Sequence, residues 1–131
     1  MLVDTSVWIE YLRATGTPHH LWVRGAITHG DLLGWTDPIL FELTVGARGP
    51  ARVAELRSLL LSGPMLAVEG VGDWEAAARL HRAARAQGLT VRSTVDCLIA
   101  AVAIRTGVPV MARDRDFVTL AQVSDLELLV P

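Results

Sequence analysis

Short apolar runs that stop at an acid or a turn alternate along this chain with longer segments of helical periodicity, and that alternation decides what it can fold into. MLVD is an apolar run ending at Asp4, and TSVWIEYLR then carries apolar residues round most of a helix. TPHHLWVRGAITHG offers Thr17 as N-cap, Pro18 at the first helical position and Gly30 as a stop. DLLGW reads as a second strand. TDPILFELTVGA opens with Asp37 and Pro38 in the same cap-and-proline arrangement, and ARVAELRSLLLSG continues as a helix to Gly63. PMLAVEG is a third strand, GDWEAAARLHRAARAQG a helix to Gly88, and STVDCLIAAVAIRTG a helix to Gly107. VPVMA is a fourth strand, followed by RDRDF, and LELLV a fifth at an edge. Strands alternating with helices predict an α/β fold with a parallel five-stranded sheet flanked by helices on both faces. No repeat, low-complexity tract or linker divides residues 1–131, which are expected to form one domain.

Composition narrows the function classes. The chain is 51% hydrophobic over 131 residues, enough for a compact core, and its formal charge of −2 provides no global basic field for nucleic acid. All twelve cationic side chains are arginine, so any phosphate contact must come from local arginines or a bound metal. The single Cys97 excludes an internal disulfide. Nothing at the N-terminus has the layout of a signal peptide, and no apolar run approaches the ~18–20 residues of a membrane span. The expected location is the cytoplasm, with no membrane association.

In parallel α/β folds the ligand crevice lies outside the carboxyl ends of the strands, where strand order reverses. Asp4 ends strand one and Asp114 follows strand four, so both belong to that edge. Crossover helices begin at the same edge. Glu42 lies five residues past Asp37, roughly 7.5 Å along its helix at 1.5 Å per residue, and helical side chains lean back toward the N-terminus. Asp96, followed by eight uncharged and mostly apolar residues, sits three past Ser93 in the first turn of its own helix. Four carboxylates from distant parts of the chain can therefore converge on one rim.

Each acid also has a plainer role. Asp4 before Thr5 and Ser6 suits a helix N-cap. Glu42 suits a solvent-facing helix position, S-T-V-D suits a capping box with Asp96 reaching back to Ser93, and RDRDF suits a solvated run of paired charges. The joint placement favours chemistry, because independent caps have no reason to share one edge. Crowded carboxylates repel and must take up protons or a divalent cation, and Mg²⁺ is the natural guest. A phosphodiester is the matching substrate, since the cation offsets phosphate charge and activates water.

MLVDTSVWIEYL, ILFELTVGA, TVDCLIAAVA and VMARDRDF, in this order and over essentially the whole chain, resemble the PIN-domain family and specifically its toxin ribonucleases, called VapC. The resemblance implies a Mg²⁺- or Mn²⁺-dependent endoribonuclease, RNA as substrate, a cognate VapB-type antitoxin, and a homodimer or toxin–antitoxin hetero-oligomer. Matched residue by residue, Asp4, Glu42, Asp96 and Asp114 occupy the acidic positions; Asp116, before Phe117, falls where family members differ in spacing. Asp4 and Asp96 are then the principal metal ligands, with Glu42 and Asp114 acting through water or a second ion. Thr5 and Ser6 would support the ligands or the phosphate, or simply cap the helix. Cleavage by an activated water would leave 5′-phosphate and 3′-hydroxyl ends.

Several residues lie outside this scheme. His19, His20, His29 and His81 are absent from the rim and read as ordinary helix residues, and Cys97 as a small core residue. Arg79, Arg82 and Arg85 form a loose stripe, either a solvated helix face or a track for an RNA backbone. The first helix is apolar on several sides, either from tight burial or as an antitoxin or dimer surface, and Trp22 and Trp35 divide the same way. A receiver-like phosphoacceptor module needs an acceptor Asp after strand three and a lysine after strand five; PMLAVEG ends with no Asp, and the chain has no lysine. No GxGxxG or P-loop supports nucleotide binding. The surviving alternative is a catalytically silent PIN-like module that binds RNA or a protein partner.

Overall fold

The computed structural model describes residues 1–131. Three short parallel strands, β1 (Leu2–Val3), β2 (Val110–Met111) and β3 (Leu128–Leu129), lie in the order β1-β2-β3. Leu2 pairs with Val110 and Val110 with Leu128. Seven helices connect and cover them: α1 (Thr5–Leu12), α2 (Pro18–His29), α3 (Asp37–Val45), α4 (Pro50–Leu61), α5 (Gly70–Ala86), α6 (Thr94–Thr106) and α7 (Arg115–Gln122).

The sheet has three strands where five were expected. The two missing ones survive as single parallel bridges, Gly34 beside Leu2 and Met65 beside Trp35. The next few residues cut each of them short. Two residues after Gly34 the chain has reached Thr36, the N-cap of α3, and beyond Leu66 the amide of Val68 donates to the Asp37 side chain at 3.2 Å rather than to a ladder. Close backbone approach holds these bridges in place: a Cβ on Gly34 would meet the Met1 carbonyl at 2.8 Å, and one on Gly63 the Leu33 carbonyl at 1.9 Å. Thr36, not Asp37, is the cap residue of α3, and it makes no side-chain cap bond. Helix α7 is also an addition, since the sequence pattern gave RDRDF no helix.

The order of segments nevertheless places the crevice. From β1 the chain passes to residues 34–35 on one side and then to 65 beyond them; it returns to β2 on the other side of β1. The carboxyl ends of β1 and β2 therefore flank the reversal point. Helix α6 runs through the centre, with Asp96 to Ala103 all buried. Those eight residues explain why its apolar positions show no single face. Each large aliphatic side chain there, such as Ile99, contributes about 1.5–3 kcal/mol by burial. α6 packs mainly on α5, and α1 on α2 and α3. Val7 and Trp8 of α1 are buried and Ile9, Tyr11 and Leu12 half-buried, so packing absorbs most of that helix's apolar surface. Trp35 is buried as well, and its indole N–H donates to the Gly63 carbonyl at 3.2 Å.

Candidate metal centre

Five acids reach the reversal point, four of them delivered by a helix start or strand end and Glu42 by the second turn of α3. Asp4 leaves β1 and caps α1: its Oδ2 accepts the Ser6 amide at 3.0 Å and the Ser6 hydroxyl at 2.6 Å. Ser6 Oγ in turn accepts the amide of Arg113 at 3.0 Å, which ties α1 to the loop after β2. Glu42, exposed on α3, accepts the Thr5 hydroxyl at 3.0 Å. Asp114 caps α7 and accepts the Asp116 amide at 2.9 Å. Asp116, buried, takes the amides of Arg92 and Ser93 on one oxygen, both at 3.0 Å.

Asp96 is different. Ser93 caps α6 and accepts the Asp96 amide at 3.2 Å, which is the first half of a capping box. The return bond is missing, because the Ser93 amide belongs to Asp116. Asp96 Oδ2 is left buried without a hydrogen-bond partner, the kind of isolation that costs a polar group several kcal/mol unless something else satisfies it. Oxygens of Asp96, Asp114 and Asp116 lie within 4.8 Å of one another.

The electrostatics follow from this geometry. Burial, then the negative charges of Asp4, Asp114, Asp116 and Glu42, push the Asp96 carboxyl up to about 8. Burial also raises Asp4, against the pull of the Ser6 hydrogen bonds, and Glu42 adds to the rise. Near neutral pH the cluster must therefore hold a proton or a cation. An all-carboxylate donor set with an orphaned oxygen at its centre suits a hard divalent cation such as Mg²⁺ or Mn²⁺.

The structure places Asp4, Glu42 and Asp114, and Asp116 with them, within electrostatic reach of Asp96. The tight triplet contains Asp116 rather than Asp4. RDRDF is not a run of mutually paired charges: Arg113 pairs with Glu10 of α1, and neither Asp114 nor Asp116 has a cationic partner within salt-bridge distance. Cys97 is a core thiol pushed up to about 11 by burial and the neighbouring acids, far from nucleophilic use. His20 is buried and accepts the Gly16 amide at 3.0 Å, away from the acids. Sequence reasoning missed the Glu10–Arg113 pair, whose partners lie more than a hundred positions apart with no spacing signal between them.

Comparison with known proteins agrees with this architecture. The model of the PIN domain matches residues 1–123. Ribonuclease VapC11 of Mycobacterium tuberculosis is 41% identical over 128 residues, covering 97% of this chain and 96% of that protein. Among solved structures, VapBC-5 of Mycobacterium tuberculosis, a member of the VapBC family of toxin–antitoxin systems, is 28% identical with a TM-score of 0.65, covering 98% of this chain and 95% of that one. VapBC-1 of nontypeable Haemophilus influenzae shares the fold at a TM-score of 0.74 and 14% identity, over 98% and 95% of the two chains.

Proposed function

The chain belongs to the PIN-domain family, in its VapC branch, and on that premise we propose that it is the toxin of a toxin–antitoxin pair, a Mg²⁺- or Mn²⁺-dependent endoribonuclease whose site is the carboxylate cluster. The carrying observation is the unpartnered Oδ2 of Asp96 inside a ring of four further acids. Relatives 41% identical in sequence are named as ribonucleases, and the VapBC structural neighbour from Mycobacterium tuberculosis belongs to a toxin–antitoxin system.

We assign Asp4, Asp96, Asp114 and Asp116 to hold the cation, with Glu42 on its outer side. Bound there, the cation would offset the charge of the phosphodiester and supply an activated water for in-line attack. The protein's own part is preorganisation. Asp4, Glu42, Asp114 and Asp116 each have one carboxylate oxygen held by a protein donor, which restrains the rotamer and leaves the other oxygen free to bind. Ser6 positions Asp4, and Thr5 positions Glu42. The proton that Asp96 keeps near neutral pH would be released if a cation were bound. The antitoxin would keep the activity in check by covering the crevice, and a cytoplasmic location supplies the RNA.

Purified protein should cut RNA in Mg²⁺ or Mn²⁺ and stop when EDTA is added. Co-expression with the neighbouring reading frame should yield a stable, inactive complex. Undiminished cutting in EDTA would sink the metal-dependent mechanism, and two proteins that elute apart while growth stays arrested would remove the toxin assignment.

A further inference from the structure

The stripe of Arg79, Arg82 and Arg85 on α5 does not act as one surface. Arg79 lines a groove that also contains the acids Glu69, Asp73 and Asp125. Arg82 and Arg85 line a different groove of about 420 Å³ between α5 and the start of α6, together with Trp74, His81, Thr94 and Cys97, and no acid lines it. Thr94 and Cys97 lie two residues before and one after Asp96 in the first turns of α6, on another face of the helix, and the charges of Asp96 and Asp116 reach the Cys97 thiol, so one end of this groove comes close to the carboxylate cluster. Trp74 is 50% exposed, an unusual position for a large indole in a chain with only one other tryptophan not fully buried. Neither Arg82 nor Arg85 pairs with a carboxylate; Arg85 reaches only His81, at 3.3 Å.

An exposed aromatic face with free guanidinium groups around it is the chemistry that holds single-stranded nucleic acid: bases stack on the ring and the cations follow the backbone. A chain with a net charge of −2 and an acidic centre needs such a local device to draw a polyanion toward the acids. We propose that the α5–α6 groove is a subsite for single-stranded RNA, in which Trp74 stacks one base and Arg82 and Arg85 bind the flanking phosphates, so that the next phosphodiester lies over the carboxylate cluster. This rests on the ribonuclease reading and specifies where that enzyme grips its substrate.

The test uses the internal contrast on one helix. Binding of a short, fluorescein-labelled single-stranded RNA of mixed sequence is measured in the Asp96→Asn background, and steady-state cleavage in the otherwise unaltered protein. Trp74→Ala should weaken binding roughly ten-fold or more and raise KM with little change in kcat. Arg82→Ala with Arg85→Ala should flatten the dependence of log K on log salt by about 1.4. Arg79→Ala removes the same charge from the same helix and should change neither quantity. Equal loss from Arg79→Ala and from the groove variants would overturn the subsite, as would groove variants that bind and cut like the parent. Variants that split a dimer or release the antitoxin while RNA affinity holds would overturn it in favour of a protein interface. A parent protein that neither binds nor cuts RNA would instead remove the ribonuclease reading, and the subsite with it.

Discussion

The backbone amide of Ser93 donates to Asp116 at 3.0 Å, and it thereby takes from Asp96 the only bond that would have made it a capping-box acid. Asp116 does the capping work from another helix, and Asp96 is freed to face the other carboxylates. This exchange separates what the two residues do for stability from what they do for chemistry.

Asp116→Ala should lower stability by about 2–4 kcal/mol, because the amides of Arg92 and Ser93 lose their shared acceptor. Asp116→Asn keeps an oxygen for both amides and should recover most of that loss while activity stays at least ~10-fold down, as expected when a ligand loses its charge. Denaturant melts and a cleavage assay on the pair check this; an asparagine variant with full activity would exclude Asp116 from the site.

The pH dependence of the metal-free protein has a defined sign. Asp96 has its folded-state carboxyl raised to about 8, so between its ordinary value near 4 and that pH the native state holds a proton that the unfolded chain has lost. Stability measured in chelator should therefore fall as pH rises through this window and level off above it. Asp73 contributes in the opposite sense on the acid side: the Arg105 guanidinium holds it low, so its stabilisation is lost as pH falls. Asp4, raised by burial, contributes in the same sense as Asp96; melts across the pH range test both limbs, and Asp96→Asn should reduce the loss toward pH 8 while leaving the acid limb.

Ser6 joins Asp4 to the loop after β2, donating to the carboxylate and accepting from Arg113. Ser6→Ala should cost about 1–2 kcal/mol and lower kcat by roughly ten-fold without abolishing cleavage, since the ligand remains but its rotamer is no longer fixed. A kcat equal to the parent's would mean that the hydroxyl serves only the helix start.

Arg105 reaches Asp73 with two nitrogens at 2.9 Å, and Asp73 is buried. Arg105→Ala leaves that carboxylate without its counter-ion and should destabilise by about 2–4 kcal/mol. RNA cleavage by the folded fraction should be unchanged, because the pair lies away from the acids; a specific loss of kcat would place it in the mechanism.

What the sequence made legible was the order of elements and the edge to which the acids belong. Asp4 and Asp114 come directly after apolar runs, and Ser93 announces a helix start, so local chemistry locates them. The five-strand expectation failed because an apolar pentapeptide such as DLLGW does not reveal that the chain enters the α3 cap at Thr36 and leaves the ladder after one bridge. S-T-V-D correctly marked Ser93 as a cap, but the competitor for its amide comes from Asp116, 23 positions away, and no local pattern encodes that. The division of the arginine stripe was hidden for the same reason: spacing puts three exposed arginines on one helix side, and α6 and the segment after α7 divide them between two grooves.

If Asp96 is present for a cation and not for its helix, paired thermal melts of the parent and Asp96→Asn, in chelator and in Mg²⁺ at neutral pH, will show it directly. Removing one charge from a crowded cluster should leave the variant as stable as the parent or more so in chelator, and it should gain less from added Mg²⁺ than the parent does. A variant that is less stable than the parent in chelator and gains as much from Mg²⁺ would contradict that role for Asp96.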